Sequence, residues 1–154
     1  MQGNGHGRGG CGAGMDPEKR QRHRYDQSVF HRLLERHHAI ERQLEHIDGG
    51  IRAVTTSADP EVVALLQDHV PAMHRRLLEN FPLRRGDPLY VEIFENRDRI
   101  HMAIELLENG VRVVETSDDP YVAQLIQAHG EAVSGFAARG HAAASQPSPL
   151  PQNA

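Results

Sequence analysis

Two histidines, His69 and His129, stand exactly sixty residues apart in the same local context, and an imidazole pair of this kind is the chain's best candidate for chemistry. Each follows an apolar pair by one helical turn, Leu65/Leu66 and Leu125/Ile126, so each belongs to the inward stripe of a helix. An inward imidazole tends to stay neutral, which is also the form that ligates a metal or haem iron. Met73, four residues after His69, shares its helix face and adds a thioether that suits soft metals or haem iron. His69 and His129 are therefore the expected cofactor or metal ligands, with Met73 as an auxiliary, and haem or copper/zinc are the ligands they point to. The plainer role for each histidine is a hydrogen bond to a backbone carbonyl, or to the hydroxyls of Ser57/Ser117 or Thr56/Thr116. Burial of both should depress both pKa values.

Other chemistry finds less support. His31, His37 and His38 lack counterparts sixty residues on, where Val91, Arg97 and Asp98 stand, and their spacing matches no defined zinc motif. His74 is turned about 100° from Met73 and reads as solvent-facing. His6, Cys11 and Met15 are soft ligands in a glycine-rich stretch that could capture copper or zinc only loosely. That stretch mimics a phosphate loop without a preceding strand or a following Gly-Lys-Ser/Thr. No Gly-x-Ser-x-Gly or His-Glu-x-x-His occurs, and Ser57 and Ser117 read as turn residues before Asp-Pro, so the chain reads as non-enzymatic.

The elements that position the histidines come from a duplication. Gly50 to His69, GIRAVTTSADPEVVALLQDH, returns without a gap as Gly110 to His129, GVRVVETSDDPYVAQLIQAH, with eleven of twenty positions identical. Each copy begins with an amphipathic helix, 26–38 carrying Val29, Phe30, Leu33 and Leu34, or 88–97 carrying Leu89, Tyr90, Ile93 and Phe94. Runs 40–47 and 51–56, and 100–107 and 111–116, flank Gly-Gly and Asn-Gly and predict two hairpins, although Glu, Arg, Gln and Leu in 35–46 also suit helix. Ser-x-Asp-Pro at 57–60 and 117–120 starts a second helix in each copy, reaching about Glu79 and Arg139. Pro71 should kink the first of these or cost it a hydrogen bond.

The expected fold is α+β: two α-β-β-α repeats, about 26–80 and 86–140, forming a four-stranded antiparallel sheet with helices packed on it about a pseudo-twofold axis. Residues 1–24, glycine-rich and then charged, and residues 141–154, small and proline-rich, read as disordered tails around a single domain, 25–140. With 154 residues, a charge of −4 and one cysteine, the chain supports one core, no internal disulfide, and no overall field for nucleic acid, despite local clusters at Arg75, Arg76, Arg84 and Arg85. No apolar run approaches a membrane span of about twenty residues.

The string TTSADPEVVALLQDHVPAMHRRL, the second copy of the repeat and the Phe136-to-Gly140 ending together resemble a family of small uncharacterised bacterial proteins, over about Phe30 to Gly140. Many of these carry export signals and a mature N-terminus rich in Gly, Gln and Met. The resemblance implies a periplasmic or secreted protein if the chain is a mature form, and otherwise a cytoplasmic one; it implies no activity. Two functions are left by the residues: a small-ligand or metal-binding protein, or a structural or interaction protein that forms homo-oligomers through its duplicated sheet.

Overall fold

The computed structural model describes residues 16–151. The first helix, α1, runs Pro17–Glu35 and is capped by Asp16, whose side chain accepts from the Lys19 N–H; Pro17 occupies its first turn. It starts well before the expected 26, because its N-terminal half also has something to cover: Asp26 and His23 reach Arg76 in the following helix of the same repeat. A short 3-10 turn, His37–Ala39, leads into β1, Glu41–Ile47, and β2, Gly50–Thr56. The helix α2, Pro60–Glu79, is capped by Asp59 and passes through Pro71 without interruption. The second copy repeats the plan with α3 (Pro88–Glu95), a 3-10 turn (Arg97–Arg99), β3 (His101–Leu107), β4 (Gly110–Thr116) and α4 (Pro120–Arg139).

The fold is the expected α+β one, a four-stranded antiparallel sheet in the order β1-β2-β4-β3. At its centre Ala53 faces its own repeat mate Val113, and Gly50 faces Thr116 as Thr56 faces Gly110, so the strand pairing is symmetric about one point. The pseudo-twofold axis passes there. The two glycines let the central strands meet: a Cβ on Gly50 would lie 1.8 Å from the Glu115 carbonyl oxygen, and one on Gly110 2.0 Å from that of Thr55.

The helices are exchanged between repeats. Although α2 follows β2, it packs on β3 and β4, while α4 packs chiefly on β1 and β2. Gln67 of α2 donates to the carbonyls of Leu107 and Gly110 in the other repeat's hairpin, and Gln127 of α4 donates to that of Gly50. Ser57 and Ser117 bond through their N–H groups to Asn109 and Gly49 in the opposite turn. Neither repeat could cover its own hairpin in this arrangement. No helix of the described residues packs on the opposite sheet face; that face displays the ion pairs Arg52–Glu45 and Arg112–Glu105, which are repeat mates.

Residues 141–151, expected to be a disordered tail, pack instead. The helix α5, His141–Ala144, leads to Ser148, whose N–H and hydroxyl both donate to the Asp87 carboxylate. Arg84 pairs with the same carboxylate at 3.1 Å and donates to the carbonyls of Ala144 and Gln146. These polar ties, absent from any apolar pattern, fix a segment too small and polar to show itself in the sequence. Among the described residues no helix is long and apolar enough to cross a membrane.

Candidate functional site

Between the helices and the sheet lies a cavity of about 190 Å³. Its walls come in repeat mates: Phe30 and Tyr90, Leu33 and Ile93, Leu34 and Phe94, Arg42 and Met102, Thr55 and Glu115, His69 and His129, Met73 and Val133, Arg76 and Phe136, Leu77 and Ala137. A cavity touched by both members of these pairs sits on the pseudo-twofold axis. Only one of the pairs is identical, the histidines.

His69 stacks on Phe30, with centroids 5.7 Å apart and planes 16° apart. Its Nδ1 is buried without a partner, and neither ring nitrogen makes a hydrogen bond among the described residues. His69 lines the cavity, and burial lowers its pKa to about 4. Asp26 and Asp68 oppose that shift; Arg76 and the nearby His129 add to it. His129 meets the edge of Tyr90 at 5.4 Å, the same helix position that Phe30 fills in the first repeat. Its Nδ1 is 3.6 Å from Oε1 of the buried Glu115, beyond hydrogen-bond reach. The hydrogen bonds to backbone or to the Ser/Thr hydroxyls expected for the pair are not formed. Ser57 is engaged elsewhere, donating to the Ala39 carbonyl and accepting from the Asp59 N–H.

One prediction follows for His69. Below pH 6.5 the unfolded chain protonates this residue while the folded one stays neutral down to about 4, so acidification favours unfolding across that window. The loss should reach about 3 kcal/mol by pH 4, since each pKa unit corresponds to about 1.4 kcal/mol and the folded site is half-protonated there. Urea midpoints measured from pH 7 to pH 4 should fall less steeply in His69→Gln than in the parent; equal slopes would refute the assignment. The two histidines, alike in sequence, differ in setting: His129 keeps 27 % of its side-chain surface and has the Glu115 carboxylate 3.6 Å away.

Two wall residues escaped the sequence reading, and both left a trace in it. Arg42 interrupts the inward alternation Ile40, Arg42, Leu44, and Glu115 ends the inward run Val111, Val113, Glu115. Arg42 is held by Ser134, Thr55 and the Gly130 carbonyl, and burial lowers its pKa to about 10 against the favourable field of Glu115. Tyr90 is likewise pushed well above its ordinary pKa by burial. Two arginines of the local clusters are turned inward: Arg76 is 1 % exposed and bonded to the buried Asp26 at 2.7 Å, and Arg84 lies over Tyr90 and Phe136. Arg84, Phe30 and Leu83 also line an outer groove between α1 and residues 144–147, so they form the partition between that groove and the cavity.

Met73 lines the cavity near His69 as expected from its helix face. His37 is structural, its Nδ1 3.0 Å from the Ala137 carbonyl near the end of α4, and His31 lies against His141 at 5.7 Å. His6, Cys11 and Met15 fall outside the described residues. Among the described residues no three of His, Cys, Asp and Glu gather as a metal site. No protein-family model, curated protein or solved structure matches the chain.

Proposed function

We propose that this protein binds a small molecule in the cavity on its pseudo-twofold axis, with His69 and His129 as the polar contacts and Met73 in the adjoining wall. One observation carries this reading: of the mated wall positions only the histidines are identical, and neither forms a hydrogen bond that the fold uses. Other identities of the repeat have structural tasks. Gly50 and Gly110 admit the partner strand, Gln67 and Gln127 tie the opposite hairpin, and Asp59 and Asp119 cap helices.

The volume sets the size of the ligand. About 190 Å³ is below the ~300–1,000 Å³ of sites for drug-sized molecules and near the ~150 Å³ that accommodates benzene. That favours a small organic molecule over haem. For copper or zinc, the pair and Met73 would supply the donors, and among the described residues no three of His, Cys, Asp and Glu gather as a metal site.

The test is a titration of the isotope-labelled full chain with a panel of ring-sized molecules, and separately with hemin and with Cu²⁺ or Zn²⁺. Amide shifts concentrated around His69 on α2 and His129 on α4 are expected with members of the panel, and no Soret shift with hemin. A panel that leaves both helices unshifted would sink the reading. A second reading, self-association, is favoured by the sheet face that no described helix covers, where Val54 and Val114 lie beside the mated ion pairs. Sedimentation separates it, since a concentration-independent monomer excludes it.

A further inference from the structure

Resting on the ligand-binding reading, we propose that the cavity is built for an uncharged, ring-sized molecule carrying a hydroxyl group, which the His69 imidazole bonds. The walls are largely apolar, with Phe30, Leu66, Met73 and Phe94 among them, so the body of the ligand must be apolar too.

Charge balance argues against an ion. Three cations border the cavity, and each is answered by an acid: Arg76 by Asp26 at 2.7 Å, Arg84 by Asp87 at 3.1 Å, and Arg42 by the field of Glu115. A carboxylate would have to displace these carboxylates or the neutral acceptors Ser134, Thr55 and Gly130 that hold Arg42. A cationic ligand would find Glu115 alone, next to three guanidiniums. A neutral molecule disturbs none of this.

The hydroxyl follows from His69. A neutral imidazole offers one N–H and one lone pair, and neither finds a hydrogen-bond partner among the described residues. A hydroxyl both donates and accepts, so it matches the ring nitrogen it meets in either tautomer. The stack on Phe30 fixes the ring plane, which gives that bond a defined direction.

Phenol, toluene and benzoate are the probes, because phenol and toluene share a shape and differ in the hydroxyl alone. Each is titrated at pH 7 into the full chain, its His69→Leu variant and its His69→Gln variant, followed by amide shifts. Phenol should bind about tenfold more tightly than toluene to the parent, the scale of one buried polar group gaining a partner. Benzoate should be the weakest. In His69→Leu the phenol advantage should vanish while toluene still binds, and His69→Gln should recover part of it. Equal binding of phenol and toluene by the parent would overturn the proposal, as would a phenol preference that survives His69→Leu or a benzoate that binds best. If all three probes leave the cavity unshifted, the ligand-binding reading falls with it.

Discussion

Gly50→Val is expected to leave no stably folded protein, and Gly110→Val should do the same. The glycines stand at the two ends of the β2–β4 pairing, opposite Thr116 and Thr56, and a Cβ at either would lie within 2.0 Å of a backbone carbonyl oxygen on the opposite strand. A carbonyl in a strand ladder cannot rotate away as a side chain can, so the strands themselves must separate. Separation breaks the symmetric pairing from Gly50–Thr116 to Thr56–Gly110, and with it the Ser57–Asn109 and Ser117–Gly49 bonds that fasten the turns. Because α2 and α4 cross to the other repeat's strands, the helices lose their seats together with the sheet centre. A loss above about 4 kcal/mol, close to the whole margin of a small domain, is the expected scale. Far-ultraviolet circular dichroism and urea titration measure it; a cooperative transition within about 1 kcal/mol of the parent would show that the strands part more easily than their register implies. Gly86, around which a Cβ would meet nothing within 4 Å, is the control position, and Gly86→Ala should be nearly silent.

The fold was legible to the extent that local patterns and the repeat specify it. Asp-Pro caps, glycine turns and alternating apolar residues each act over a few residues, and the sixty-residue offset predicted which elements would be mates. The exchange of helices was not legible. An apolar stripe specifies which face of α2 is buried but not which hairpin it covers, and the two hairpins are alike because they are copies. Within the site, His69 and His129 could be placed from their stripe, whereas their lack of partners depends on three-dimensional neighbours that no spacing encodes. Arg42 and Glu115 were readable as polar breaks in inward alternations, and went unread because a polar residue in a strand is usually a solvated one. The packing of 141–151 had no apolar stripe to show it; its polar ties are the Asp87 carboxylate, the Ser148 N–H and hydroxyl and the Arg84 guanidinium, beside Ala143 seated with Leu34 and Phe136.

Asp26 and Arg76 also left a signal, being charged residues at stripe positions, Asp26 three before Val29 and Arg76 three after Met73, and together they define the second large effect. Both are almost fully buried, 3 % and 1 % exposed, and Arg76 Nη1 donates to Asp26 at 2.7 Å. The other guanidinium nitrogen is 2.7 Å from His23 Nδ1, and Phe81 lies against the guanidinium plane at 4.1 Å. Burial lowers the His23 pKa and Arg76 lowers it further, so the ring is neutral and Nδ1 accepts the arginine's hydrogen bond. Removing one member of such a pair strands the other charge in a dry setting, whereas removing both deletes the desolvation cost along with the attraction. Arg76→Met should therefore lower stability by about 3–5 kcal/mol, and Asp26→Leu combined with Arg76→Met should recover most of that loss. Urea unfolding of the two single variants and the double variant gives the coupling directly. A double variant no more stable than Arg76→Met would show that the arginine acts through Phe81 and His23 instead of through Asp26. A single variant indistinguishable from the parent would mean that water reaches Asp26 once the arginine is gone, and that α1 is held to α2 by its apolar stripe together with the Arg22–Glu79 and Tyr25–Asp68 contacts.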